Sequence, residues 1–140
     1  MASQVMVQNT FESGTLDERP EPGSSGSMYY RTEIINGGTI TTVYVSDGID
    51  WIKISPIIWT GIAVTNGGSF NISWGSGIFD EIPLMQGIIL NNGSIGFVAF
   101  ESLTLEECKG RAVNINDILN GSVPQPLLDG TEVQIIATQY

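Results

Sequence analysis

Turn signals recur at short intervals along this chain, and they constrain its fold more than any other feature. Four clear examples are Asn36-Gly37-Gly38, Asp47-Gly48, Asn66-Gly67-Gly68 and Asn91-Asn92-Gly93. Asn, Asp and Gly favour tight turns because they accept positive backbone φ angles. The segments between these turns have the length of strands and leave little room for helices. The spacing therefore predicts an all-β chain.

Alternation of side chains within the segments supports this prediction. In Ser69–Trp74, the apolar residues Phe70, Ile72 and Trp74 alternate with small polar ones, which is the period of a half-buried strand. The segment Leu103–Cys108 has the residues for one helical turn, but we interpret it as strand or loop. Further strands are predicted at residues 28–31, 39–45, 59–64, 85–90, 95–100, 111–115 and 131–138.

A segment rich in Pro and Gly, residues 17–27, separates the beginning of the chain from the rest. Proline and glycine at this density exclude a helix or a central strand, so we expect an extended loop. We predict an N-terminal arm or attachment segment over residues 1–18 and a small β-hairpin module over residues 19–55. An antiparallel, knob-like β-sandwich is predicted over residues 56–140.

The predicted hairpin module holds too little chain to bury a sizeable core by itself. Its aromatic side chains would be buried if several copies packed around a symmetry axis, which would also cover exposed strand edges. We therefore expect self-association, with an interface that contains Tyr29, Tyr30, Tyr44 and Trp51.

Charge and composition exclude several classes of partner. The net charge is −10, from five basic and fifteen acidic residues, and the basic residues form no stripe that could neutralise a phosphate backbone. We therefore expect no nucleic-acid partner. The longest apolar runs, such as Ile88-Ile89-Leu90, are too short to cross a bilayer, so no membrane insertion is expected. The first residues lack a basic segment followed by an apolar run, and no signal peptide is predicted.

Candidate catalytic and metal-binding groups are few. The chain has no histidine, and its single cysteine, Cys108, therefore has no partner base. Asp47-Gly48-Ile49-Asp50 offers only two carboxylates, so a β-turn is favoured over a calcium loop. The neighbouring acids Asp80-Glu81 and Glu106-Glu107 would point to opposite faces of an extended chain, which spoils an acid–base pair. We predict no catalytic, metal or cofactor-binding residue and no enzyme activity. A structural thiol is the default reading of Cys108.

The three tryptophans allow two readings, because an aromatic ring can stack on a sugar or pack inside a protein. Trp74 continues the apolar side of Phe70 and Ile72, so we assign it to the core. Trp51 shares a face with Lys53 and is assigned to an interface. Trp59 is open to both readings.

Two stretches have motifs of a known kind. The first joins Arg19-Pro20-Glu21-Pro22-Gly23 and Gly26-Ser27-Met28-Tyr29-Tyr30 to the segment Tyr44–Ile54, which contains Asp47-Gly48-Ile49-Asp50-Trp51. It resembles a module of tailed-phage tail fibres, in which a Pro-Gly loop precedes a Leu-Tyr-Tyr strand and an Asp-Gly-x-x-Trp hairpin follows. Met28 stands where that module usually has a branched aliphatic residue.

The second stretch is similar to the C-terminal knob of phage tail fibres. Its matching features are Trp59-Thr60-Gly61, Gly68–Ile72, Phe79-x-x-Ile82-Pro83, Cys108–Val113 and Asp129–Ile135. The resemblance covers most of the chain after residue 16. Whole fibre chains are normally longer, so a head fibre, a capsid decoration protein or a tail adaptor are alternatives.

The resemblance implies a homotrimeric virion protein, made in the bacterial host cytoplasm. It would be a tail fibre or fibre tip that attaches to other tail or head proteins and contacts a host surface polysaccharide or protein. A carbohydrate-binding module is the alternative from another class.

In a fibre tip, loops on the rigid β scaffold would meet the ligand. Candidate loops are residues 75–81, 91–94 and 116–126. In the last of these, the polar groups that could bind sugar hydroxyls belong to Asn116, Asp117, Asn120 and Gln125. An equal alternative is that residues 123–128 cap the sandwich.

Overall fold

The computed structural model describes residues 9–90, 96–114 and 130–140, and these residues form strands and connecting turns without a helix. The strands are β1 (Phe11–Gly14), β2 (Met28–Ile35), β3 (Gly38–Ser46), β4 (Trp51–Lys53), β5 (Ile57–Val64), β6 (Ser69–Ser73), β7 (Leu84–Ile89), β8 (Gly96–Leu103), β9 (Glu107–Asn114) and β10 (Glu132–Gln139). The predicted all-β class is confirmed. Within the described ranges, no helix is long and apolar enough to cross a membrane.

The chain divides into two compact units that are interleaved along the sequence. The first unit consists of Met1–Glu33, Ile40–Ile57 and Tyr140, and the second consists of Ile34–Thr39 and Ile58–Gln139. The predicted modules were each continuous in sequence. In the structure, the tip of the hairpin that β2 and β3 form belongs to the second unit.

In the first unit, β2 lies between β1 and β3, and the short β4 pairs with β3. Strand β1 runs parallel to β2, in a register that begins with Phe11 opposite Met28. Residues 11–14, which were predicted to lie in an arm, are therefore part of a sheet. Their sequence, Phe-Glu-Ser-Gly, shows no sustained alternation, and a strand of four residues is too short to give a period-two signal.

The turn between β2 and β3 confirms the hairpin that was predicted at Asn36-Gly37-Gly38. Asn36 and Gly37 form the two-residue connection, and both have positive φ angles, 52° and 77°. Two consecutive residues of this kind form the turn that matches the natural twist of paired strands.

In the second unit, β10 lies between β5 and β7, and β6, β9 and β8 form a separate sheet in that order. Strand β10 is antiparallel to β7, and β9 is antiparallel to both of its neighbours. The pairing of β8 with β9 shifts between Phe100 and Ser102, so Glu101 is an extra residue in β8. Such a bulge locally redirects side chains.

The core of the second unit lies between these two sheets. Trp59 in β5 and Trp74 at the end of β6 are fully buried, and their ring centroids are 5.8 Å apart. Phe79 also meets Trp74 edge-on, with the ring centroids 5.6 Å apart. Burying aromatic rings of this size contributes strongly to stability, and tilted or edge-on contacts are the favoured geometries. The core assignment of Trp74 is confirmed.

The segment Leu103–Cys108 forms no helical turn. Strand β8 ends at Leu103 and β9 begins at Glu107, and the N–H of Thr104 donates to the carbonyl of Glu107 at 2.9 Å. The reading as strand and loop is confirmed.

Candidate functional sites

The first unit is organised around an aromatic clasp, which we define as Arg19, Tyr29, Tyr44 and Trp51. The guanidinium carbon of Arg19 lies 4.6 Å from the centroid of the Tyr44 ring and 5.9 Å from that of Trp51. The rings of Tyr29 and Trp51 are 6.1 Å apart and tilted. A cation over aromatic faces is attracted by their quadrupoles, so the clasp fixes the loop that contains Arg19.

Hydrogen bonds fasten the same loop to the strands. The indole N–H of Trp51 donates to the carbonyl of Pro20 at 2.8 Å, and the hydroxyl of Tyr29 donates to the carbonyl of Thr15 at 2.6 Å. Burial raises the pKa of Tyr29, and the nearby charges of acidic side chains such as Glu18 add to the rise. The phenol therefore stays a hydrogen-bond donor.

These contacts change the basis for the predicted self-interface. Tyr29 and Tyr44 are buried by their own chain, whereas Tyr30 and Trp51 are partly exposed. A second copy is thus not needed to cover Tyr29 and Tyr44. An interface through all four residues stays a prediction.

Beside the clasp lies a depression of about 450 Å³ whose lining is mainly polar. It is lined by Leu16, Arg19, Pro20, Glu21, Pro22, Ile49, Asp50 and Trp51. The Trp51 indole N–H is already bonded to Pro20, so this ring has no free donor for a ligand.

The carboxylate of Asp47 is engaged within its own turn. One oxygen, Oδ1, accepts hydrogen bonds from the N–H groups of Ile49 and Asp50, at 2.8 and 2.7 Å. These bonds stabilise the charged form and lower the pKa of Asp47. The N–H of Asp47 also donates to the carbonyl of Asp50, and the chain bends over residues 48–50. Among the described residues, no group of three or more acidic, Cys or His side chains is placed to hold a metal ion.

A second depression, also of about 450 Å³, lies in the second unit and was not predicted. We call it the polar depression and define it by Asn66, Ser69, Asn71, Glu101 and Lys109, whose polar side chains line it together with Val64, Phe70 and Gly110.

Strand register brings these polar side chains together. Asn71 lies opposite Lys109, and Ser69 lies opposite Arg111, all on the exposed side of the β6-β9-β8 sheet. The bulge in β8 adds Glu101, whose carboxylate forms an ion pair with Arg111. Amide, hydroxyl, ammonium and carboxylate groups on paired strands can donate and accept several hydrogen bonds to a polyol at once.

The sequence contained a signal for this site. The polar positions of Ser69–Ser73 and the basic positions Lys109 and Arg111 both alternate with buried residues. That alternation predicts an exposed strand face, but the pairing of β6 with β9 cannot be read from either segment alone.

The predicted receptor-contact residues Asn116, Asp117, Asn120 and Gln125 lie outside the described residues, as do residues 91–94. The remaining candidate loop, residues 75–81, is only partly available to a ligand. Its Ile78 and Phe79 are buried. The side-chain oxygen of Gln139 accepts hydrogen bonds from the N–H groups of Asp80, at 2.8 Å, and Glu81, at 3.4 Å.

Two of the three tryptophans present no ring face for sugar stacking, because Trp59 and Trp74 are fully buried.

Cys108 is also fully buried in β9. Burial raises the pKa of its thiol to about 11, and the charge of Glu107 adds to the rise. The thiolate, the reactive form, is therefore scarce near neutral pH, in keeping with a structural thiol.

Comparison with protein-family models and with curated proteins finds no match to this chain.

Proposed function

We propose that this protein is a structural component of a bacteriophage virion, a homotrimeric tail fibre or fibre tip. It attaches to other virion proteins and contacts the host surface. One observation supports the proposal most directly: the residues that resemble the tail-fibre module come together in the first unit. Arg19, Tyr29 and Trp51, which belong to three separate motifs, meet in the aromatic clasp.

The contacts give the resemblance a physical meaning. The Pro-Gly loop is bonded through the carbonyl of Pro20 to Trp51, and through the carbonyl of Gly23 to the hydroxyl of Ser46, at 3.0 Å. The Asp-Gly turn is closed by the carboxylate of Asp47. The motif residues thus stabilise one small folded unit.

The polar depression supports the host-contact part of the proposal. Its side chains are held by paired strands, and rigid presentation reduces the entropy lost when a ligand binds. Its groups suit the hydroxyls of a surface polysaccharide. The net charge of −10 disfavours a polyanionic ligand, so a neutral or cationic glycan fits better.

A head fibre or capsid decoration protein would share this fold, so location in the particle decides between the alternatives. Purified particles should be labelled with gold-conjugated antibodies against the chain and viewed by electron microscopy. Gold at the tail is the expected result, and gold at the head would favour a head fibre or decoration protein. Particles that contain none of the chain by mass spectrometry would exclude a virion role.

A further inference from the structure

The outward side of β5, β10 and β7 in the second unit is unusually apolar for a surface. We call it the apolar face. Ile62, Val64, Leu84 and Ile88 are 54%, 61%, 65% and 49% exposed on it, and Leu90, just past β7, is 45% exposed. Single exposed aliphatic residues are normal, but a contiguous patch of a few hundred Å² or more marks an interaction site.

Strand order and register make this patch contiguous. Strand β10 lies between β5 and β7, so the three strands present one continuous surface. On β10, Gln134 lies opposite Ile88, and Ile136 lies opposite Gln86. Directly opposed residues point to the same side of a sheet, so amide and aliphatic side chains alternate in both directions across the face.

Charge is nearly absent from the apolar face. The outward positions are Ile58, Thr60, Ile62 and Val64 on β5, Glu132, Gln134, Ile136 and Thr138 on β10, and Leu84, Gln86 and Ile88 on β7. Glu132 is the only charged residue among them. The chain as a whole has fifteen acidic and five basic residues, so its acidic groups are concentrated elsewhere.

We propose that a second copy of this chain covers the apolar face. Two copies with a net charge of −10 repel each other over most of their surfaces, and they can approach closely only where charge is missing. The face also complements itself, because a glutamine side chain both donates and accepts hydrogen bonds and can therefore pair with another glutamine. In a trimer, the same face of each of three copies would meet its two neighbours around the threefold axis, so the face must be compatible with itself.

This inference rests on the proposed function for the idea that several copies assemble, and it assigns the surface where they meet. It moves the self-interface away from the aromatic clasp, whose Tyr29 and Tyr44 are already covered. An acidic or basic partner protein would find almost no charge to pair with on this face. Burial of the exposed aliphatic groups provides the driving force for a second copy.

Sedimentation equilibrium of the full chain at micromolar concentration tests the inference. The wild type should sediment as an assembly, with three times the 15.1 kDa chain mass expected for a trimer. The double substitution Ile62→Thr/Ile88→Thr removes apolar surface, and threonine still suits a strand. It should weaken the association at least tenfold while the far-UV circular dichroism spectrum stays that of the wild type.

A matched control is Ile49→Thr/Leu105→Thr, which makes the same kind of change at two exposed residues outside the apolar face. The control should associate as the wild type does. Association of the wild type should also strengthen with added salt, because salt screens repulsion between acidic copies and does not weaken apolar burial. A charge-driven interface would show the opposite salt dependence.

Several results would overturn the inference. They are a monomeric wild type, a face variant that associates as tightly as the wild type, and binding of the wild-type monomer to neutral lipid vesicles through this face. Electron microscopy of labelled particles distinguishes a failure of the proposed interface from a failure of the proposed virion role. Labelled particles with a monomeric chain overturn the interface alone, whereas an associating chain that is absent from particles overturns the virion role alone.

Discussion

At the scale of single residues, the ring of Trp59 determines which residues fit beside it. Its indole ring lies against the backbone of Gly38 on β3 and of Gly61 on its own strand, and a Cβ at either glycine would collide with the ring. The indole N–H donates to the carbonyl of Ile35 at 3.0 Å. The two glycines are therefore required by close approach, and not by a turn.

We expect Gly38→Ala to lower the free energy of unfolding by about 1–3 kcal/mol, the usual cost of forcing extra volume into a packed core. The urea midpoint, followed by circular dichroism, measures the loss. Thr39→Ala, at the exposed neighbouring residue, is the control and should change stability by less than about 0.5 kcal/mol. Equal stability of the two variants would mean that the ring is not confined as described.

The ion pair between Arg31 and Glu33 leads to a second prediction at this scale. Arg31 is buried, and its Nε donates to Oε2 of Glu33 at 2.7 Å, an oxygen that also accepts the N–H of Leu16 at 2.8 Å. Burial alone would raise the pKa of Glu33, but these hydrogen bonds and the charge of Arg31 outweigh it, so the pKa is lowered from 4.5. A carboxylate whose pKa is lowered in the folded chain stabilises the fold when the pH is above its unfolded-state pKa. This stabilisation is lost as the pH falls through the folded-state pKa.

Glu33→Gln should therefore cost about 1–2 kcal/mol at pH 7, where the charged hydrogen bonds are present in the wild type. The difference from the wild type should shrink as the pH falls below 4.5, because Glu33 is then protonated first in the unfolded chain and, at lower pH, in the folded chain. Urea titrations at a series of pH values measure both effects, with the exposed Glu81→Gln as control. A stability difference that did not depend on pH would contradict this account.

At the scale of elements, the pairing of β6 with β9 creates the polar depression. Each strand alone shows only alternation, and the register decides that Asn71 meets Lys109. The buried sides of the same strands supply Phe70 and Cys108 to the core. The exposed and buried sides of these strands thus carry different residues, so substitutions on the exposed side need not disturb the fold.

We expect Asn71→Ala/Lys109→Ala to reduce adsorption to host cells at least tenfold while the chain remains folded, because both side chains are exposed. Adsorption of purified protein to cells, and binding to extracted surface polysaccharide, measure the effect. Thr39→Ala/Lys53→Ala, a pair of exposed polar residues outside the depression and outside the candidate loops, is the matched control. Unchanged adsorption of the first variant would exclude the polar depression as the contact site.

At the scale of the whole molecule, the interleaving of the two units matters for how the chain can be divided. Residues 34–39 belong to the second unit, although they lie within the hairpin of β2 and β3. They contain the carbonyl that binds Trp59 and the glycine that makes room for its ring. A cut at residue 55 therefore removes part of the second unit.

We expect the fragment of residues 56–140 to lack a cooperative unfolding transition, because Trp59 loses both of these contacts. Urea titration followed by near-UV circular dichroism tests this, with the full chain as reference. A fragment that unfolds cooperatively at the midpoint of the full chain would show that residues 34–39 are dispensable.

Much of the fold could be predicted from the sequence because turn residues and alternation are local signals. The hairpin at Asn36-Gly37 and the burial of Trp74 follow from such signals. Strand β1 could not be predicted, since its pairing with β2 depends on residues seventeen positions away and its four residues show no period. The polar depression depends in the same way on which strands pair and where β8 bulges.

The placement of the tryptophans gives the molecule a built-in optical readout. The indoles of Trp59 and Trp74 are 5.8 Å apart with planes inclined at 54°, so we expect their electronic transitions to couple and to give paired circular dichroism bands of opposite sign. Trp51 belongs to the first unit and is partly exposed, so a dissolved quencher can reach its fluorescence. Unlabelled protein thus reports on each unit through a different signal, and loss of the exciton bands marks the opening of the second unit.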